Sequence, residues 1–261
     1  MPGAGAERGR AGRVAPIALA LAVAAGLVGP GRAVHAQGAT PAPEGVPPLI
    51  DAAGRIGKPW RVVGLPQQTL PLTRYEAQRI DGRDVVRVEA QASYGNLVLD
   101  LPRVPAPRRV AWTWRLDRAN PRADLHHKAG DDSAAKVCLS FDLPLDQVPF
   151  LERQLLRLAR SRTGEALPAA TLCWVWDPRE APGTIVDNPY SRRVRSLIVR
   201  GTGEPEGAWR DESRDVAADF LRAFGDEARE PPPVTALIVA ADADNTAGSS
   251  LAHVGGLRFE P

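Results

Sequence analysis

Residues 109–116 read RVAWTWRL, and the strict alternation of apolar and polar side chains in this stretch decides the fold class. Every second residue is a bulky apolar one: Val110, Trp112, Trp114 and Leu116. Successive side chains of an extended chain point to opposite faces, so these four share one face. The stretch therefore predicts a β-strand with one buried face and two tryptophans in the core.

The same alternation recurs along the chain, separated by clusters of Gly, Pro, Asn and Asp. The further candidate strands are RVEAQASYGNLVLDL (87–101), AAKVCLSFD (134–142), TLCWVWD (171–177), VRSLIVRG (194–201), VTALIVAAD (234–242) and VGGLRFE (254–260). At least seven short strands with turn signals between them are typical of an antiparallel sandwich. We therefore predict an all-β fold, an antiparallel β-sandwich.

Two segments depart from this pattern and predict helical insertions. Residues 146–162 carry Leu151, Leu155 and Leu158 at helical spacing, with basic residues in the last turn. Residues 213–225 carry Val216, Phe220 and Phe224 at four-residue intervals, with Ser213 or Asp215 as the N-cap and Gly225 as the C-cap. Because neither helix alternates regularly with strands, a parallel α/β sheet is disfavoured.

The first 36 residues are predicted to be a secretory signal. Three arginines precede the uncharged apolar run VAPIALALAVAAGLV (14–28), and AVHA ends on Ala36 with a small residue at the proposed cleavage site. The run is shorter than a spanning helix needs, although an uncleaved membrane anchor is the alternative. Residues 37–48 (QGATPAPEGVPP) are expected to be a Pro/Gly/Ala-rich linker and 49–261 a single sandwich domain. The predicted location is the periplasm or the outside of a Gram-negative-type bacterium.

The net charge of the whole chain differs from that of the predicted mature protein, because the predicted signal holds four arginines and one glutamate. Without it the chain has 29 basic and 30 acidic residues. No basic stripe remains to favour nucleic acid as a partner, and no later apolar run is long enough to span a bilayer.

The two cysteines, Cys138 and Cys173, each lie one position out of phase with the apolar face of a candidate strand. They share a face if those strands are neighbours, and an oxidising compartment would allow a disulfide. Two unbonded side chains are the alternative.

Two polar clusters are the candidate sites, since no GxSxG, GxxxxGK[ST], HExxH or CxxC motif is present. The first is DLHHKAGDDSAAK (124–136), in which Lys128, Asp131 and Asp132 are candidate ligand-binding residues. A carboxylate with a cation beside it has a shifted pKa, as active-site groups do. The alternative is a Gly-Asp turn leading into a strand.

The second cluster is AADADNTAGSS (240–250), directly after an apolar strand. Asp242 and Asp244 point the same way if the strand continues through them. With Asn245 they offer the oxygen ligands that calcium takes, so they are a candidate calcium site. The alternatives are a turn that satisfies its own backbone donors and a catalytic role.

The six tryptophans divide into two groups. Trp112, Trp114, Trp174 and Trp176 lie in phase on candidate strands and are expected in the core. Trp60 and Trp209 lie in less regular stretches and are the better candidates for exposed rings on which a sugar could stack.

The order of motifs resembles that of a bacterial family of exported proteins, the domain of unknown function 3047 family. The motifs are W-T-W-R, H-K-A-G-D-D, C-W-V-W, R-D-V-A-A-D-F-L-R-A-F-G, D-A-D-N-T and H-V-G-G-L-R-F, from about Trp60 to Phe259. The resemblance implies a sandwich that is jelly-roll-like and similar in outline to carbohydrate-binding domains. It implies no activity, and fold alone does not give function.

Three hypotheses follow for the function. The first is a non-enzymatic sandwich that binds a carbohydrate or another polar ligand of the cell envelope. The second is a glycan-acting hydrolase or lyase with paired carboxylates as acid and base. The third is an envelope interaction domain with no small ligand, in which the same residues hold loops together.

Overall fold

The computed structural model describes residues 45–261, which form two sheets and two helices. The predicted signal and most of the predicted linker lie outside these residues and stay predictions. In chain order the strands and helices are β1 (Arg61–Val63), β2 (Arg74–Ile80), β3 (Arg83–Gln91), β4 (Asn96–Val104), β5 (Arg109–Arg118), β6 (Ala135–Phe141), α1 (Phe150–Thr163), β7 (Ala170–Trp176), β8 (Ile185–Asp187), β9 (Val194–Arg200), β10 (Arg210–Asp215), α2 (Val216–Phe224), β11 (Val234–Ala240) and β12 (Ser249–Glu260).

The larger sheet has seven strands in the order β1-β4-β11-β6-β7-β9-β8, and the smaller has five in the order β10-β5-β12-β3-β2. All pairs are antiparallel except β7 with β9, which are parallel. Apolar side chains from the inner faces of both sheets form one core cluster. The prediction of an all-β sandwich with two helical insertions is confirmed.

The core is centred on the four in-phase tryptophans, as expected. Trp112 packs on Trp174 with ring centroids 5.6 Å apart, and Trp114 packs on Trp176 at 5.5 Å. One member of each pair belongs to β5 and the other to β7, so each pair joins the two sheets. Buried aromatic pairs of this kind add to the energy of area burial.

Helix α2 is held against this core by its own polar residues. Asp215 is the N-cap and accepts the Ala218 N–H at 2.9 Å. Asp219 accepts the Trp174 Nε1–H at 2.8 Å and pairs with Arg214 through two 2.8 Å hydrogen bonds. The sequence R-D-V-A-A-D is therefore a structural motif, which caps the helix and ties it to a core tryptophan.

Helix α1 forms as predicted, but the leucines that predicted it do not pack on the core. Leu156 is its buried residue, whereas Leu151, Leu155 and Leu158 are exposed. The helix ends at Gly164, whose left-handed conformation is the usual C-cap geometry.

The candidate strand 87–101 is two strands rather than one. β3 ends at Gln91 in the smaller sheet and β4 begins at Asn96 in the larger one. The chain changes sheet at Ala92, which has φ +43°, and the Ser93 hydroxyl oxygen accepts the Gln91 N–H at 3.0 Å. The core positions change from even-numbered Val88 and Ala90 on β3 to odd-numbered Leu97 and Leu99 on β4, and the prediction of a single strand overlooked this shift of phase.

Cys138 and Cys173 stand opposite each other on β6 and β7 and form a disulfide. Both lie on the outer face of the larger sheet, within a second apolar cluster. Within the described residues, no helix has the length and apolar character to cross a membrane.

We expect the Cys138→Ala, Cys173→Ala double variant to lose about 2–4 kcal/mol of unfolding free energy, because the disulfide closes a long loop in the unfolded chain. Urea unfolding with and without dithiothreitol measures the loss. Reductant should destabilise the wild type and leave the variant unchanged. Equal stability of wild type and variant without reductant would contradict a stabilising role for the bond.

Candidate functional site

A pocket lies on the outer face of the larger sheet, directly above the disulfide. Cys138, Cys173 and Ile238 contribute an apolar floor, and polar side chains surround it. The space that can hold water-sized molecules is about 70 Å³. That is room for a few waters, or for one functional group of a larger ligand.

Asp242 lies in the pocket because it keeps the outward phase of β11. Ile238 and Ala240 belong to the outer cluster, and Asp242 follows two residues later. Its Oδ1 accepts the Ser133 N–H at 2.6 Å, and its Oδ2 pairs with Lys136 Nζ at 2.6 Å. Both carboxylate oxygens are therefore engaged within the protein.

Burial and the neighbouring charges have opposite effects on the pKa of each member of this ion pair. Burial disfavours the ammonium of Lys136, but the nearby Asp242 and Tyr94 outweigh it and raise the lysine pKa. Burial also raises the pKa of Asp242, and the lysine charge opposes that rise. Lys136 is thus a fixed positive charge in the pocket.

Two further carboxyl groups line the pocket without a cation of their own. The side-chain carboxylate of Asp131 accepts one hydrogen bond, from Asn188 Nδ2 at 2.6 Å. Burial, followed by repulsion from Asp242, raises the pKa of Asp131 to about 6 and that of Asp244 to about 7. Asp244 Oδ1 is buried and has no hydrogen-bond partner among residues 45–261. Both groups titrate close to neutral pH, as groups in functional sites often do.

Asp132 joins the two polar clusters that the sequence singled out. Its carboxylate accepts the N–H groups of Asn245 at 3.0 Å and Thr246 at 2.9 Å, and also the Thr246 hydroxyl at 2.5 Å. Asn120 Nδ2 adds a weaker contact at 3.3 Å. A fully buried carboxylate with this many donors fixes the loop after β11 against the loop before β6.

Asn245 and Lys128 lie around the pocket in different ways. Asn245 Nδ2 donates to the Asp131 carbonyl at 3.0 Å, and its Oδ1 lies 2.8 Å from the Tyr190 hydroxyl. Lys128 is exposed, with Nζ 5.1 Å from the centre of the Tyr190 ring. Tyr190 lines the pocket, so Lys128 stands next to its wall rather than inside it.

The structure does not bring the two candidate tryptophans to this pocket. The expectation of an exposed ring at Trp60 is wrong, because this residue is only 6% exposed and belongs to the core. Trp209 is half-buried between Arg83 and Arg115, with its Nε1–H bonded to Asp81 at 2.9 Å. Arg115 and its neighbours lie on the outer face of the smaller sheet, on the opposite side of the sandwich.

Sequence reasoning missed the lysine of the pocket. Lys136 lies on β6 two residues before Cys138, so the alternation that put the cysteine on the outer face also puts the lysine there. Tyr94, Asn188 and Tyr190 had no comparable signal, because they lie in irregular segments that only the fold brings together.

The calcium hypothesis for Asp242, Asp244 and Asn245 stays a prediction. Asp242 is already paired with the ammonium of Lys136, and Asn245 is bonded to Asp131 and lies beside the Tyr190 hydroxyl. Across residues 45–261, no three His, Cys, Asp or Glu side chains are grouped as a metal site would require.

Fold and pocket together define a two-sheet β-sandwich with an acidic pocket on the outer face of its larger sheet. A family model described as "Protein of unknown function (DUF3047)" matches residues 58–258. The chain therefore belongs to this family, as the motifs predicted. A comparison with curated proteins finds no match.

The Asp132→Ala variant should lose about 2–4 kcal/mol of unfolding free energy, because buried N–H groups of the loop would lose their acceptor. Chemical unfolding measures the loss, and Asp146→Ala in an exposed loop is the matched control. A wild-type midpoint in Asp132→Ala would show that the loop is held by other contacts.

A second prediction concerns pH. The pKa of Asp244 rises from 3.8 to about 7 on folding, so the folded state holds its proton more tightly. Asp244 therefore makes its full favourable contribution to the unfolding free energy below about pH 3.8. This contribution disappears as the pH rises through 7. Relative to the wild type, Asp244→Asn should be as stable at pH 4 and more stable at pH 8, as measured by urea unfolding. Equal destabilisation at both pH values would mean that the carboxylate is a structural anchor.

Proposed function

We propose that the chain binds a polar ligand of the cell envelope in this pocket, and that the ligand inserts an amine. An amino sugar is the simplest carbohydrate of this kind. The observation that carries the proposal is the charge of the lining: Asp131, Asp242 and Asp244 face one cation, Lys136. The other carboxylate of the region, Asp132, is satisfied by neutral donors.

The size of the pocket supports an inserted group rather than an enclosed ring. A drug-sized ligand fills several hundred Å³, whereas the space here is about 70 Å³. An ammonium group is close to a water molecule in size. The ammonium group would supply a donor to Asp244 Oδ1, which is buried and has no hydrogen-bond partner among the described residues.

The energetics also support a ligand with a positive charge. Two carboxyl groups with raised pKa values reduce the stability of the folded chain at neutral pH. Groups kept at a cost to stability are typical of functional sites. A bound cation would favour their ionised forms and so recover that cost.

Isothermal titration calorimetry with chitosan oligomers and with their N-acetylated counterparts tests the proposal. At pH 5.5 the amines of the oligomer are protonated before binding, so the amine form should bind more tightly and release protons, because the cation favours ionised Asp131 and Asp244. Proton release is read from the difference in heat between acetate and MES buffers. Asp244→Asn should weaken binding at least about tenfold, since it removes one partner of a buried charge pair.

The control for this experiment is Asp146→Asn, which removes an exposed carboxylate that does not line the pocket. It should bind as the wild type does. Equal binding of both oligomers would contradict the insertion of an amine. The pocket would then bind a polar ligand without selecting for an amine. Absence of binding by either form, in a folded protein, would contradict the carbohydrate proposal.

A glycan-acting enzyme is the second candidate, and one observation favours it. Asp131 and Asp244 have pKa values of about 6 and 7, near the range in which one carboxyl donates a proton and another accepts one. Incubation with the oligomers that bind, followed by assay for new reducing ends, tests this activity. Products from the wild type but not from Asp131→Asn or Asp244→Asn would support it, provided that both variants still bind.

A further inference from the structure

The outer surface of α1 is an exposed apolar face with no cover among the described residues. Phe150 and Leu151 are each 68% exposed, Leu155 is 54% exposed and Leu158 is 47% exposed. The three leucines are spaced i, i+4 and i+7 and share one side of the helix. Scattered exposed leucines need no explanation, but a contiguous row of this kind usually marks an interaction site.

The exposure belongs to a helix that is fixed on the sandwich. Leu156 on the opposite side is 6% exposed and joins the core cluster. Arg160 donates to the Leu167 carbonyl from both Nε and Nη2, which fixes the last turn. The apolar row therefore faces outwards because the other face of α1 is the one that packs.

The charges beside the row are basic. Arg157 and Arg162 are exposed, and neither has an ion pair or hydrogen bond within residues 45–261. The single acid of the helix, Glu152, lies 3.6 Å from Arg193 Nε and so points to the sandwich side of α1. Asp146, in the preceding loop, is the nearest exposed acid in the sequence before the helix.

We propose that this face docks on the surface of a bilayer containing anionic phospholipids. Phenylalanine and leucine on one side with arginines beside them are the composition of helices that lie in the plane of a membrane interface. A second copy of the chain is the other occupant that the test distinguishes, because a two-fold contact would also cover the leucine row.

The docking face is separate from the acidic pocket. None of the residues that line the pocket belongs to α1. Lys136 is the second residue of β6, and α1 begins at Phe150, after the far end of that strand.

Co-sedimentation with vesicles tests the proposal. The chain starting at Gln37 is used, so that the apolar run 14–28 cannot insert, and the described sandwich is intact in it. Binding is expected to vesicles of phosphatidylglycerol and phosphatidylcholine, and to fall in high salt and with phosphatidylcholine alone. Arg157→Glu should weaken binding about fivefold or more, the effect of one basic residue at an anionic surface.

The decisive variant is Leu151→Ser, Leu155→Ser, Leu158→Ser, which alters exposed positions and should keep the wild-type unfolding midpoint. It should lose vesicle binding, whereas the control Leu70→Ser, Leu72→Ser, at exposed positions outside α1, should not. Three outcomes would overturn the proposal. They are no binding by the wild type, equal binding by the triple variant, and a wild-type dimer in sedimentation velocity that the triple variant abolishes.

Discussion

Two pairs of tryptophans in tilted contact, one ring of each pair from each sheet, join the two sheets within the core. Such large rings bury their surface only if the strands that carry them keep their register. Two of the indole N–H groups find buried carboxylates: Trp114 donates to Glu212 and Trp174 to Asp219. Each carboxylate also binds an arginine, so the aromatic core fixes β10 and α2 as well. The packing of the sheets and the placement of the helix therefore depend on one set of contacts.

The acidic pocket is built on the side of the larger sheet that faces away from this core. The alternation that sends tryptophans inwards sends Lys136, Cys138 and Asp242 outwards. Asp132 then fixes the loop that carries Asp244, through the hydrogen bonds that its carboxylate accepts from Asn245 and Thr246. Structural and chemical roles are thus divided between neighbouring aspartates. Asp132 is the anchor, whereas its neighbour Asp131 keeps a raised pKa and faces the pocket.

Local periodicity predicted most of the strands, both helices and the outward position of the cysteines, because each depends on a short repeating pattern. The crossing between sheets within 87–101 does carry a signal, a shift of the buried positions from Val88 and Ala90 to Leu97 and Leu99, but the prediction of one continuous strand overlooked it. Local periodicity could not say which side of α1 packs. Leu156 is buried and Leu155 exposed, and only the position of the neighbouring strands decides between them.

Part of the candidate site could also be predicted from local sequence patterns. The two aspartate clusters carry visible local signals, and the structure brings them together through Asp132. Trp60 was misplaced because an irregular sequence does not imply an exposed side chain: its ring packs in the core and donates to the Pro47 carbonyl. Asn188 reaches the pocket through contacts distant in sequence, which no local pattern encodes.

The strand order also bears on when the chain can fold. β11 lies between β4 and β6, and β12 lies between β5 and β3, so the last two strands of the described chain occupy interior positions in both sheets. Such pairings are distant in sequence, and chains dominated by them fold slowly. Until residues 234–260 are available, neither sheet has its central ladder. The nascent polypeptide would stay unfolded, and able to pass through a narrow channel, until residues 234–260 had been made, which suits the predicted export of the chain.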